Sequence, residues 1–188
     1  MNSNRIAKFE KVSFEQFKKD WIKHCMPYNE NTPESSENDP NLIKTIRNIY
    51  DNIELPKRST IYSAGYDFKL HTITEIPIGA SMTIPTGIKC RMDNNWVLML
   101  FPRSGHGFKY GIHLANGVGI IDSDFYDNPN NEGHIMVKLV NDSSLANNLI
   151  LKSGQAFCQG VFLPYGVTED DDATGVRVGG IGSTDVKS

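Results

Sequence analysis

A chain of 188 residues, 39% apolar and 22% charged, is long enough for one folded domain with a real core and has the composition of a soluble globular protein. Its formal charge of −3 argues against a general nucleic-acid binder, which carries a basic surplus. No apolar run reaches the roughly 20 residues of a membrane span, and the N-terminus lacks the apolar stretch of a signal peptide. The three scattered cysteines, Cys25, Cys90 and Cys158, make neither a disulfide framework nor a zinc spacing, so the expectation is a cytoplasmic protein with reduced thiols.

Arg5 to Val12 alternates well enough for a first strand. Ser13 is placed as a helix N-cap, with Gln16 three residues on to complete a capping box and Val12 to staple against Phe17. Phe14, Phe17 and Trp21 recur at helical spacing, which predicts a helix through about His24. Met26 to Asn38 is polar and proline-containing, and reads as a mobile loop. Asp39-Pro40, a capping residue followed by proline at the first helical position, opens a second helix. Its Leu42, Ile43, Ile46, Ile49 and Tyr50 form one apolar stripe. Core packing is the favoured use of both stripes; an unknown protein partner for this helical insertion, residues 13–54, is the alternative.

From Leu55 onward the pattern turns to short β-type segments divided by Gly, Pro and Asn: Ser81–Ile84, Gly87–Arg91, Trp96–Phe101, Ile135–Val140 and Phe157–Leu163. Closely spaced strands of this kind predict an all-β sandwich or jelly roll. Asn116-Gly117 lies between Ile112-His113-Leu114 and Gly119-Ile120-Ile121, and predicts a hairpin closed by a type I′ turn. After Pro164 the chain becomes acidic, Glu169 to Asp172, and then glycine-rich, which reads as a flexible arm over 166–188. The whole of 1–188 is taken as a single domain.

Five short segments carry chemistry. In Ser63-Ala64-Gly65-Tyr66-Asp67-Phe68 a carboxylate beside a glycine could orient water or a metal ion, although Asp67 alone is an ordinary turn residue. Pro102-Arg103-Ser104-Gly105, with Gly107 and Lys109, combines a fork of donors, a hydroxyl and close backbone access, which suits phosphate oxygens as well as a plain surface turn. Asp122, in Gly119-Ile120-Ile121-Asp122-Ser123-Asp124-Phe125, follows an apolar pair at the base of the hairpin, where it could take a proton from water or merely cap a turn. Gly154-Gln155-Ala156-Phe157-Cys158-Gln159 leads into an apolar strand. Gly179-Gly180-Ile181-Gly182-Ser183-Thr184 could wrap phosphate oxygens with its N–H groups, but has neither the lysine nor the spacing of a Walker A loop.

In order and spacing these five segments resemble the motifs of the trimeric dUTPase family, over about Leu55 to the end. The unbroken stretch from Pro102 to Asp122 is the most specific part. The resemblance implies a dUTPase-like distorted jelly roll and a magnesium-dependent hydrolase that cleaves dUTP to dUMP and pyrophosphate. It also implies a homotrimer with active sites at the subunit interfaces, each closed by a C-terminal arm, with no part for nucleic acid or membrane. By the same resemblance Asp122 activates the attacking water, Arg103, Ser104 and Gly105 contact phosphates, and Asn116 with the backbone of Gly119, Ile120 and Ile121 reads uracil. Phe125 stands where a ring stacks on the deoxyribose, Gly133 and Met136 match the pocket strand, Asp67 holds Mg2+ through water, Gln159 reaches the phosphates, and Gly182, Ser183 and Thr184 belong to the closing arm.

The chain departs from the family pattern at several points. Phe125 replaces a tyrosine, about six extra residues lie within Tyr126 to Glu132, Ala156 stands for an arginine, Ile181 for an aromatic, and Arg177 is the nearest candidate for an arginine offset by one. These changes predict poorer arm closure and a raised KM over an intact catalytic centre. A dCTP deaminase shares the fold, but its glutamate has lysine, Lys138, at the best-matched place. A non-catalytic nucleotide sensor on the same trimer is opposed by the intact Arg103-Ser104-Gly105 and Asp122.

Overall fold

The computed structural model describes residues 5–26, 38–143 and 148–179. In chain order these form β1 (Ala7–Lys11), α1 (Phe14–Cys25), α2 (Pro40–Asp51), β2 (Lys57–Arg58), β3 (Tyr66–Lys69), β4 (Thr74–Ile76), β5 (Ser81–Pro85) and β6 (Ile88–Met92). Then follow β7 (Trp96–Pro102), α3 (Ser104–Tyr110), β8 (Ile112–Leu114), β9 (Gly119–Ile121), a 3₁₀ turn at Ser123–Phe125, β10 (Met136–Asn141), β11 (Leu149–Leu151) and β12 (Ala156–Pro164). The strands lie where the alternating segments predicted them, and the architecture is the jelly-roll-like, mostly β fold expected. The short helix α3, directly after Pro102, was not foreseen. Among the described residues no helix is long and apolar enough to cross a membrane.

The largest sheet runs β2-β3-β12-β7-β9, and a second runs β5-β10-β8; β1-β6 and β11-β4 are two-stranded pairs. The inner faces meet over one core, with Phe68, Ile76, Leu98, Leu100, Ile112, Leu139 and Phe157 almost wholly buried. Cys90 and Cys158 are free thiols inside it, and burial pushes the Cys90 thiol up to about 12.

One expectation fails here in an informative way. The strands β8 and β9 do not pair with each other: β8 pairs with β10, and β9 with β7. Nor is the turn between them type I′, because Gly117 has φ +70° while Asn116 is not among the residues of positive φ. Gly117 N–H donates to Leu114 O at 2.9 Å, so the turn spans Leu114 to Gly117 and leaves Gly117 left-handed. Each flanking strand has a better partner in a different sheet, and the connection is splayed open.

The insertion folds as two capped helices. Ser13 Oγ accepts from Gln16 N at 3.1 Å, and Asp39 Oδ1 from Asn41 N at 2.9 Å ahead of Pro40. The capping box is only half made, because the Gln16 amide donates to Asp20 at 2.7 Å instead of returning to Ser13. The Ser13 N–H donates instead to Glu132 at 2.8 Å, and its hydroxyl donates to the other oxygen of the same carboxylate. Phe17 and Ile46 are fully buried in the main core, with Val12 beside them, so both apolar stripes serve the chain's own packing.

Glu132 belongs to the extra residues before β10, whose organisation is now plain. Asn128, buried, donates to Phe125 O and Asn131 Oδ1 and accepts from the N–H groups of Asn130 and Asn131. Gly133 closes the excursion at φ +75°, and a Cβ there would lie 2.6 Å from Phe125 O and 2.9 Å from Tyr126 Cα. Gly79 is also left-handed, at φ +70°, but has nothing within 4 Å of its Cβ position. Gly79→Ala is therefore expected to cost about 1–2 kcal/mol, the backbone penalty alone. Gly133→Ala adds a backbone clash and is expected to lower Tm well beyond that; equal Tm shifts in thermal unfolding would contradict this account.

Candidate functional site

Strand β7 lies next to the edge of the large sheet and spaces the site. On one side it pairs with β12, setting Pro102 opposite Cys158 and Phe101 opposite Gln159. On the other it pairs with β9, setting Leu98 opposite Ile121 and Leu100 opposite Gly119. Because β9 runs antiparallel, Asp122 emerges beyond Leu98, towards the start of β7, whereas Arg103 follows its end.

The residues of the first, second and fourth segments come together at that end. Asp67 pairs in register with Gln159 across β3 and β12, and its Oδ1 lies 3.5 Å from Arg103 Nε. Ser59 Oγ donates to the other Asp67 oxygen at 3.0 Å. A Cβ on Gly65 would sit 2.5 Å from Gln159 Oε1, so the glycine leaves room for that amide. Ser104 and Gly105 open α3 and are exposed. Beneath them His106 is buried, with the Gln155 amide 3.0 Å from its Nε2. Burial pushes its pKa down, so it stays neutral, and its Nδ1 is buried without a hydrogen-bond partner among the described residues. Ala156, at the place where the family pattern leads one to expect an arginine, is buried.

The third segment makes a separate group. Asn116 and Ile120 are exposed, Ile121 and Asp122 half-buried, and Phe125 lies buried in the 3₁₀ turn. A cavity of about 610 Å³ opens beside the splayed turn, floored by Leu100 and Leu114 and bounded by Asn116, Gly119 and Met136. Its apolar floor and free backbone edge can take a flat heterocycle, with main-chain donors and acceptors to read it. Arg177, from the arm, donates through Nη2 to Asp122 at 2.5 Å and through Nε to Asp124 at 2.8 Å, with its guanidinium 5.7 Å from the Phe125 ring centroid. Gly182, Ser183 and Thr184, with Ile181, lie outside the described residues.

Asp122 and Arg103 are therefore not neighbours within one chain. The register puts Asp122 level with about Val97, six residues before Arg103, or about 20 Å at roughly 3.3 Å per residue. Sequence reasoning also missed one wall of the cavity: Gln16, Lys19 and Lys23 of α1 line it. Their recurrence on one helix face was legible, but not what that face would meet.

The dUTPase family model matches residues 51–185. Deoxyuridine 5'-triphosphate nucleotidohydrolase of Lactococcus lactis subsp. lactis is 40% identical over 134 residues, 70% of this chain and 88% of that protein. The Escherichia coli protein of the same name is 35% identical over 136 residues, 68% of this chain and 85% of that one. The crystal structure of dUTPase from Streptococcus mutans matches with a TM-score of 0.56 at 45% identity, covering 61% of this chain and 88% of that one. For dUTPase from phage phi11 of S. aureus the TM-score is 0.54 at 18% identity, covering 69% and 94%, a likeness of fold. With its five ordered segments and the geometry above, the chain belongs to the dUTPase family.

Proposed function

We propose that the chain hydrolyses dUTP to dUMP and pyrophosphate, with Asp122 activating the water, in a homotrimer whose active sites are shared between subunits. The observation that carries the shared site is the separation of Asp122 from Arg103 by about 20 Å along β7. One α-phosphorus cannot be served by both groups of the same chain. A neighbouring copy, presenting its Arg103, Ser104, Gly105 and Gln159 to the first copy's Asp122, completes the constellation. Apolar groups beside both halves support this, since Phe108 on α3 is 93% exposed and Ile120 on β9 53%.

The steps follow from the groups. Uracil lies in the cavity against Asn116 and the open backbone of Gly119 to Ile121, backed by Met136. The Phe125 ring supports the deoxyribose face once the arm has moved. Asp122 accepts a proton from water as its oxygen bonds to the α-phosphorus; the bond to the bridging oxygen breaks, and pyrophosphate leaves with that oxygen. Arg177 must first release Asp122, whose proton-accepting oxygens it now engages, and its guanidinium then suits the phosphates. Gly182, Ser183 and Thr184 are assigned to the same closing arm.

Among the described residues no three or more His, Cys, Asp or Glu side chains converge. A lone carboxylate next to substrate phosphates fits magnesium, which retains waters and takes few protein ligands. Asp67 would hold it through water, and a dUTPase from phage phi11 of S. aureus has been described with a structural Mg(II) ion. Bound there, magnesium offsets charge on the leaving pyrophosphate. The free thiols Cys25, Cys90 and Cys158 support a reducing, cytoplasmic location.

Asp122→Asn is expected to lower kcat for dUTP at least ~100-fold with little change in dUTP binding, read as pyrophosphate release. UTP should be cleaved far more slowly than dUTP; equal rates would remove Phe125 from sugar selection. Asp122→Asn and Arg103→Ala, each inactive alone, should regain activity when refolded together, because mixed trimers contain sites with both native groups. If mixing restores nothing, the shared-site arrangement is wrong.

A further inference from the structure

Helix α1 is held to the pocket strand at two points. Glu132 caps Ser13, and Asp20 accepts from His134 Nδ1 at 2.6 Å just ahead of β10. The Gly87 N–H donates to His134 Nε2 at 2.7 Å, so that nitrogen carries no proton and Nδ1 carries the one shared with Asp20. Burial of Asp20 opposes its ionisation, but the bonds from His134 and Gln16 win and hold its carboxyl below the ordinary value. The helix face fixed in this way looks into the cavity that holds Asn116, Gly119 and Met136.

Three ammonium groups line that cavity: Lys19 and Lys23 from α1 and Lys138 from β10. None has an ion-pair or hydrogen-bond partner among the described residues. Asp20 is the one carboxylate among the lining residues, and His134 and Gln16 both bond its Oδ2. The α1 side of the cavity therefore carries a net positive charge, with ammonium donors at Lys19 and Lys23 unpaired among the described residues.

We propose that α1 is a wall of the base site and that Lys19 and Lys23 are specificity-determining residues. They favour a pyrimidine edge that presents carbonyl oxygens and disfavour one that presents an amino group. Uracil carries oxygens at both exocyclic positions, whereas cytosine carries an amino donor at one. A lysine ammonium has no acceptor to offer that amino group, and each N–H aimed at it is left unpaired. The insertion thus contributes to substrate choice through the cavity wall that α1 supplies. This rests on the assignment of the base to that cavity.

The test uses the full-length enzyme with Lys19→Met and Lys23→Met, singly and together, and Lys→Arg at both positions. Affinity is measured for deoxyuridine and for a non-hydrolysable dUTP analogue, and kcat/KM for dUTP and dCTP. The double Met variant should raise KM for dUTP about 10-fold with kcat nearly unchanged, as expected for loss of a charge-assisted hydrogen bond. It should weaken deoxyuridine and the dUTP analogue by the same factor and narrow the dUTP-to-dCTP ratio, and Lys→Arg should restore much of each. Equal KM and selectivity in parent and double Met variant overturns the proposal while leaving hydrolysis at the shared site intact. Weakening confined to the triphosphate overturns it too, since the lysines would then be reading phosphate. Parent enzyme that turns over no dUTP defeats the underlying assignment instead.

Discussion

Leu114 and Gly119 are five residues apart, yet the backbone must deliver them to different sheets. Leu114 pairs with Leu139 of β10, and Gly119 with Leu100 of β7. The splayed turn makes no ladder between β8 and β9, and its N–H groups at Ala115, Gly117 and Val118 donate instead to Lys138 O, Leu114 O and Asn116 O. The outer edge of β9 has no strand partner among the described residues, and its backbone groups there are left for water or a ligand. The proposed base site follows from this arrangement: an open backbone edge, an apolar floor from Leu100 and Leu114, and a carboxylate, Asp122, where β9 ends. Had β8 and β9 closed on each other as a hairpin, the same residues would have formed an ordinary β-ribbon with no cavity beside it.

The two departures from the compact family pattern explain each other. The extra residues before Gly133 supply Glu132, which caps α1, while α1 supplies Asp20, which accepts a hydrogen bond from His134 at the root of β10. Lys89 ties the excursion down further through Asp127 at 2.5 Å and Glu132 at 3.8 Å. The His134 ring is wholly buried and satisfied on both nitrogens, which is what makes a polar group tolerable in that place. The insertion and the excursion are one unit built around the pocket strand.

Strand β7 is stiff and paired on both sides, so the distance it sets between Asp122 and Arg103 cannot be closed by bending within the subunit. The chain instead leaves each half-site facing outward beside exposed apolar groups. In the isolated chain Arg177 pairs with Asp122, the carboxylate proposed for catalysis, at 2.5 Å and with Asp124 at 2.8 Å. Arm, half-sites and exposed Phe108 all fit a molecule whose chemistry is completed by its neighbours.

Local chemistry was enough to place Ser13 and Asp39 as caps, the Phe17 and Ile46 stripes as core, the strands after Leu55, and the five segments whose order marks the family. Those features depend on residues a few positions apart, so side-chain period and turn preference determine them. Asn116-Gly117 misled because a two-residue turn signal assumes that the flanking strands pair with each other, and here β10 and β7 compete for them. The role of residues 126–132 and the meeting of Lys19 and Lys23 with the base cavity were not legible for the same reason. They depend on Glu132 reaching Ser13 and His134 reaching Asp20 across more than a hundred residues of chain, and only the packed structure decides such long-range partners.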